Sequence, residues 1–206
     1  MPGNRSQTAQ VTLIRGADLH ATRWKNGGGI TREIAVYPAA AEFDTFVWRV
    51  SVADVEQAGP FSRFAGIDRT LVLISGAGML LDEGQGRTHA LTQPFDIARF
   101  AGETAIDARL VEGATRDFNL MVRRGVASGN IEVWRAGSAH TVSADTVLLF
   151  CAAGSVDVVP SAGEPVALAT NDTMRIADAQ AWHCTLRGTG TVLAVSILHA
   201  DSRQPV

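Results

Sequence analysis

The sequence lacks the features that mark membrane, secreted and nucleic-acid-binding proteins. No apolar run approaches the roughly 18 residues that a membrane-spanning helix needs. The polar start, MPGNRSQTAQ, has no apolar core of the kind found in secretory signals. Basic residues number 18 against 21 acidic ones, so the basic excess of a nucleic-acid binder is missing. We therefore expect a cytoplasmic protein with no nucleic-acid partner and no membrane association.

Cysteine is equally scarce. The two cysteines, Cys151 and Cys184, lie in apolar, strand-like runs. Because free cysteine packs as a small hydrophobic side chain, we expect both to be reduced core residues.

Strand patterns dominate what is present. Short segments such as FVWRVSVADV and TVLLFCAAGSVDVV are rich in Val, Leu and other strand formers, and Gly, Asp, Asn or Pro separates most of them. Many short strands at close spacing are typical of a β-sandwich or β-barrel. The sequence thus predicts an all-β fold.

An internal repeat refines this prediction. At an offset of 76 positions, the segment 70–121 falls on 146–197 without a gap, and Leu73/Leu149 and Gly78/Gly154 are among the identities. Two copies predict a bicupin, meaning two jelly-roll (RmlC-like) barrels in one compact unit. We expect residues 1–126 to form the N-terminal strands and the first barrel, which holds the ligand pocket. Residues 127–206 are expected to form the second barrel, which serves as scaffold. Residues before Gly66 have no counterpart in the second copy and are expected to add strands to both halves.

The two copies differ at the segment DFNLMVRR. Alternate residues share one strand face, and at the 76-residue offset this face pairs polar with apolar positions: Asp117/Leu193, Asn119/Val195, Met121/Ile197 and Arg123/His199. Because a buried polar group needs a partner or a wet pocket, this contrast predicts a pocket in the first barrel and a filled second barrel. The alternative is a face that points outward in both copies.

Three upstream segments add polar candidates. In WKNGGGITREIA, consecutive glycines allow close approach of backbone to a ligand, and a simple hairpin turn is the alternative. In FVWRVSVADV, Arg49 and Ser51 share a face that could hold a carboxylate, or Arg49 is a surface residue. In GPFSRFAGIDRT, Asp68 and Arg69 either form a structural ion pair or orient a ligand.

Other catalytic patterns are missing. No two histidines are spaced as the His-x-His pair of metal-binding cupins, so we expect no metal and no cofactor. No nucleophile elbow is present either. Glu33 and Asp117 remain as carboxylates that could act as an acid/base pair.

The chain resembles the HutD/Ves family over nearly its whole length. The resemblance is carried by four segments in this order: WKNGGGITREIA, FVWRVSVADV, GPFSRFAGIDRTLVLISG and DFNLMVRRG. The resemblance implies a cupin-like double barrel linked to bacterial histidine utilisation, or to cold and stress response in the Ves branch. Ala65 departs from the proline that the family has in its FPG turn, which weakens only the detail of that loop. The ligand-binding positions that the resemblance implies are Trp24, Asn26, Gly28, Gly29, Thr31, Glu33, Trp48, Arg49, Ser51, Asp68, Arg69, Asp117, Asn119 and Arg123.

The function predicted from these residues is metal-free binding of a small carboxylate, such as urocanate or N-formylglutamate, to sense or modulate histidine utilisation. One alternative is a metal-independent isomerase or hydrolase that uses Glu33 and Asp117. Another is a stress-response interaction protein whose barrel is incidental. A homo-oligomer is compatible with the sequence.

Overall fold

The computed structural model describes residues 10–200, and within this range the chain is all-β apart from one 3-10 turn at Gly16–Asp18. No helix in this range has the length and apolar character that a membrane crossing requires. The strands in chain order are β1 (Gln10–Ile14), β2 (Ala21–Arg23), β3 (Gly29–Tyr37), β4 (Trp48–Val55), β5 (Gly59–Pro60), β6 (Ile67–Ser75), β7 (Met79–Gly84), β8 (Arg87–Leu91), β9 (Ile97–Ala101), β10 (Asp107–Leu110), β11 (Thr115–Arg123), β12 (Ala127–Arg135), β13 (Ala139–Ala153), β14 (Ser155–Pro160), β15 (Val166–Ala169), β16 (Thr173–Gly188) and β17 (Thr191–His199).

The described chain divides into two compact units. The first comprises residues 18–129 with 199–200, and the second comprises residues 130–198 with 10–17. Strand β1 pairs with β16 of the second unit, whereas β2, β3 and β4 belong to the first. The expectation that the N-terminal segment adds strands to both halves is therefore confirmed.

Two antiparallel sheets build the first unit. One has six strands in the order β2-β3-β4-β11-β6-β9, and the other has four in the order β5-β10-β7-β8. Side chains from both sheets form one apolar cluster, which includes Leu71, Leu73 and Phe100 from the six-stranded sheet and Met79 and Leu81 from the four-stranded sheet. One face of the six-stranded sheet is thus turned toward the four-stranded sheet.

The second unit carries a seven-stranded sheet with the order β12-β17-β13-β16-β14-β15, and β1 is added beside β16. Its apolar core cluster contains Val147, Leu149, Cys151, Cys184 and Ala194. Both cysteines are buried and unpaired, as expected, and burial raises the pKa of each thiol to about 11. The all-β class is confirmed, but none of the three sheet paths in residues 10–200 closes into a ring, so the two closed barrels are not.

The repeat is visible in the strands, with one correction to its register. Leu73 of β6 lies opposite Asp117, whereas its counterpart Leu149 of β13 lies opposite Ala194. The structural partner of Asp117 is therefore Ala194, and not the predicted Leu193. The cause is a β-bulge between Arg116 and Asp117 in the pairing of β11 with β6. In the second copy, the pairing of β13 with β17 shifts its register between Cys151 and Ala153 instead.

Candidate functional site

Polar residues gather on the face of the six-stranded sheet that is turned toward the four-stranded sheet, which we call the site face. Its residues lie in cross-strand rows. One row places Arg49, Met121 and Arg69 side by side on β4, β11 and β6, and the next row places Ser51 beside Asn119. Period-two alternation brings these residues to one side, so the sequence-predicted Arg49, Ser51, Arg69, Asp117 and Asn119 do share a face.

Arg49 lies at the more open side of this face. Its Nε donates a hydrogen bond to Glu33 Oε2 at 2.7 Å, and its Nη1 lies 3.5 Å from Ser51 Oγ. The Arg49 side chain is 11% exposed, whereas that of Glu33 is 44% exposed. Because Glu33 is well solvated, this ion pair leaves the Arg49 guanidinium able to take another anion.

Arg69 is the most unusual residue of the face. It is 7% exposed, and its guanidinium lies 5.1–5.8 Å from the ring centroids of Phe61, Phe64 and Phe100. Its Nη1 donates a hydrogen bond to the carbonyl of Ser62 at 3.4 Å, and its buried Nε has no partner among the described residues. Burial lowers the pKa of Arg69 to about 10, so the group remains charged at neutral pH.

Asp117 and Asn119 lie next to Arg69 on β11. Burial raises the pKa of Asp117 to about 7, although the positive charge of Arg69 acts in the opposite direction. No hydrogen bond between described groups involves its carboxyl. Asn119 is 8% exposed, and its Oδ1 also lacks a partner within the described residues. The site face therefore combines an unpaired buried donor, Arg69 Nε, with an unpaired buried acceptor, Asn119 Oδ1, among the described residues.

The segment that contains the three successive glycines, residues 24–31, lies at one edge of this region. Trp24 packs against the apolar cluster, and its Nε1 donates to Thr31 Oγ1 at 2.8 Å. Asn26 Oδ1 accepts from the amide of Gly28 at 3.0 Å, which holds the turn. A Cβ at Gly29 would lie 2.5 Å from the carbonyl oxygen of Asp54, so this glycine permits close strand pairing. Asn26, Gly28 and Gly29 thus shape a hairpin, whereas Trp24 and Thr31 bring side chains to the site.

Two predicted residues, Trp48 and Asp68, lie on the opposite face of the sheet, and a third, Arg123, is bonded to a loop. Trp48 is fully buried on the opposite face of β4, where it stacks on Tyr37. Asp68 also points away from the site face and accepts hydrogen bonds from Arg124. Arg123 donates from Nε to the carbonyl of Phe46 at 2.9 Å and from Nη2 to that of Asp44 at 2.7 Å. Through these two hydrogen bonds Arg123 holds the loop that precedes β4.

A cavity of about 300 Å³ lies on the Asp68 side of the same sheet, and its lining includes Thr70, Leu120, Val122 and Gly129. The charged side chains at this cavity are already paired with one another, because Arg124 bonds to both Asp68 and Glu103. Its chemistry is therefore less suited to a charged ligand than that of the site face, where buried donors and acceptors remain unpaired.

Sequence reasoning missed the aromatic surroundings of the two arginines. Phe61 and Phe64 lie between β5 and β6, where strand alternation does not apply, so their ring contacts with Arg69 have no signal in the strand pattern. Phe43 is 62% exposed, and the Arg49 guanidinium lies 4.9 Å from its ring centroid. Its ring also lies 5.8 Å from that of Phe64. No group of three or more potential metal ligands occurs in residues 10–200.

Three relatives resemble the chain closely. An uncharacterized 21.2 kDa protein in the hutC 3′ region of Pseudomonas putida is 38% identical over 169 residues, which cover 82% of this chain and 87% of that protein. Protein Ves of Citrobacter koseri is 38% identical over 113 residues, which cover 53% and 56% of the two chains. The solved structure of HutD from Pseudomonas fluorescens SBW25 superposes with a TM-score of 0.80 at 30% identity and covers 92% of this chain and 99% of its own.

A more distant likeness concerns the fold alone. A mutant oxalate decarboxylase OxdC from Bacillus subtilis superposes with a TM-score of 0.60 at 8% identity, over 90% of this chain and 76% of that one. The all-β fold is therefore cupin-like. A model of the HutD family matches residues 16–194, which is most of the chain. Together with the relatives above, this match shows that the chain belongs to the HutD family.

Proposed function

We propose that this protein binds a small carboxylate on the site face, without a metal, and that the bound acid reports on histidine utilisation. The observation that carries the proposal is the Arg69 guanidinium, which is buried, charged and left with an unpaired Nε. The charge of Asp117 acts on Arg69, but no hydrogen bond joins the two side chains among the described residues, so the Nε donor remains unsatisfied at a buried position, which is unfavourable. A carboxylate is the anion that a guanidinium binds best.

The neighbours of Arg69 suit the same ligand. Arg49 adds a second guanidinium in the same row, and Ser51 adds a hydroxyl. The rings of Phe61, Phe64 and Phe100 supply the apolar walls that are common in small-molecule pockets. In this proposal the first repeat forms the binding barrel of a bicupin and the apolar second repeat forms its scaffold.

The names of two relatives support histidine utilisation as the pathway. The Pseudomonas putida relative is named for its place in the hutC 3′ region. The Pseudomonas fluorescens HutD structure was determined in a formate condition. Formate is itself a small carboxylate. Urocanate and N-formylglutamate are therefore the acids to test first.

Thermal unfolding with each acid tests the proposal. A ligand at about 100 times its Kd should add roughly 2.7 kcal/mol to the free energy of unfolding. Arg49→Ala should remove most of this gain, whereas Arg109→Ala at an exposed position should keep it. The proposal fails if none of these acids, formate included, stabilises the protein, or if both variants respond like the parent chain.

An enzymatic role has one specific observation in its favour. The Asp117 carboxyl is fully buried with its pKa raised to about 7, which suits a general acid or base near neutral pH. Turnover of a pathway acid that is lost in Asp117→Asn while the acid still binds would favour an isomerase or hydrolase over a sensor. Binding without turnover in the parent chain would exclude that role for the acid tested.

A further inference from the structure

The site face presents acceptors as well as donors, and a simple carboxylate would satisfy only the donors. Asn119 Oδ1 is buried and has no hydrogen-bond partner among the described groups. Its cross-strand neighbours are Ser51 on β4 and Leu71 on β6. Because a buried acceptor without a donor is costly, Asn119 points to a ligand that brings a donor of its own.

Arg69 and Asn119 are close enough for one small molecule to reach both. Asn119 lies opposite Leu71, and Arg69 is two residues along the same strand, so the two are diagonal neighbours on one face. Diagonal positions on adjacent strands lie about 7–8 Å apart at the backbone. Yet Arg69 Nε and Asn119 Oδ1 do not bond to each other.

The phenyl rings explain why these two groups stay apart. Phe61, Phe64 and Phe100 surround the Arg69 guanidinium, and the Ser62 carbonyl accepts from its Nη1. These contacts hold the guanidinium in place. The held Arg69 donor and the unpaired Asn119 acceptor on the neighbouring strand together form a two-point template for a ligand.

We propose that the ligand is an acid that also carries an N–H or O–H donor, with its carboxylate on Arg69 and Arg49 and its donor on Asn119 Oδ1. This inference rests on the proposed carboxylate binding. It separates the ligand class from simple acids such as acetate and benzoate, which would leave the Asn119 acceptor unpaired. Asp117, two residues from Asn119 on the same face, offers a further acceptor when it is ionised.

Matched acids test the inference. Pyrrole-2-carboxylate and pyrrole-3-carboxylate each have an N-methyl analogue that keeps the charge and ring but lacks the N–H donor. We expect calorimetric titration to give at least one pair in which the N–H acid binds 10-fold or more tightly than its N-methyl analogue. In Asn119→Leu this ratio should fall toward 1 while the N-methyl acid still binds.

Two further variants make the result specific. Asn119→Asp keeps an acceptor and should preserve the N–H preference although overall affinity falls, which also covers the case in which Asn119→Leu does not fold. Asn130→Leu, at an exposed position on β12, should leave the ratio unchanged.

The outcomes separate the two proposals. Equal binding of both members of each pair, with Arg49 still required, would overturn the two-point ligand and leave carboxylate binding intact. An N–H preference that persists in Asn119→Leu would remove Asn119 as the acceptor and overturn the inference. If no acid in the set binds, carboxylate binding itself fails and the inference fails with it.

Discussion

Arg49 and Arg69 lie on the two strands that flank β11, and each is the cross-strand partner of Met121. Two strand spacings separate their backbones by about 10 Å. The charge of Arg49 contributes to lowering the pKa of Arg69, although burial contributes more. Two like charges held around one buried methionine create a positive region that favours an anion between them.

Glu33 limits that positive region, and its removal should strengthen anion binding. Its carboxylate accepts from Arg49 Nε at 2.7 Å, so it competes with a ligand carboxylate for the same donor. We expect Glu33→Gln to tighten binding of urocanate or N-formylglutamate about 2- to 5-fold, a modest change because Glu33 is well solvated. Calorimetric titration measures this, with Glu56→Gln at an exposed position as control. Weaker binding in Glu33→Gln would instead make Glu33 a direct ligand contact.

Asp117 should make stability depend on pH. Burial raises its folded-state pKa from 3.8 to about 7, so between these values the folded state binds more protons than the unfolded state. The free energy of unfolding therefore falls as pH rises from about 4 to 7 on account of this group. Asp117→Asn should be more stable than the parent chain by about 1–3 kcal/mol at pH 8, with a smaller gain at pH 5.

Urea denaturation at both pH values measures this difference. Asp157→Asn, at an exposed position on β14, serves as the control and should show no such pH-dependent gain. An equal or greater gain for Asp117→Asn at pH 5 would show that the Asp117 carboxyl is not destabilised by its burial.

Asp54 should stabilise the sheet from the other side of β4. Its carboxylate accepts from Arg32 at 2.7 Å and from Arg116 at 2.6 and 3.0 Å. The hydrogen bond from Arg116 is the main cause that lowers the pKa of Asp54, so its contribution is present above pH 3.8 and is lost as pH falls through the lowered value. Asp54→Ala should cost about 1–2 kcal/mol at pH 7. Chemical denaturation should show no comparable loss for the exposed Asp107→Ala, and equal losses in the two variants would contradict the Asp54 network.

The sequence predicted which polar residues share a strand face better than it predicted what surrounds them. Alternation along FVWRVSVADV and DFNLMVRR placed Arg49, Ser51, Asp117 and Asn119 on one face, because the side-chain period of a strand is fixed at two residues. The same rule separates Trp48 from Arg49, and a motif that contains both residues does not reveal which one faces the ligand.

The repeat comparison met a different limit. A one-residue bulge reverses which side chains face the core, and nothing in an ungapped alignment marks its position. For that reason Asp117 was paired with Leu193, whereas the structure pairs it with Ala194. Similarly, Arg123 was predicted to bind a carboxylate, and its bonds to the carbonyls of Asp44 and Phe46 depend on a loop that strand patterns do not define.

Phe43 should control how long a ligand stays bound. Its ring is 62% exposed and lies over the Arg49 guanidinium, with the ring of Phe64 beside it. A ring in that place shields the Arg49 charge from water, which strengthens its attraction for an anion. Because the Phe43 side chain is largely exposed, Phe43→Ala should leave the unfolding temperature almost unchanged.

We expect Phe43→Ala to raise the dissociation rate of pyrrole-2-carboxylate about 3- to 10-fold with little change in the association rate, since differences among variants of one site fall mainly on dissociation. Stopped-flow fluorescence can follow this through Trp24, which packs at the edge of the site. Val111→Ala removes an apolar side chain of similar exposure away from Arg49, and it should leave both rates unaltered. A faster association in Phe43→Ala with unchanged dissociation would mean that the ring obstructs entry and does not retain the ligand.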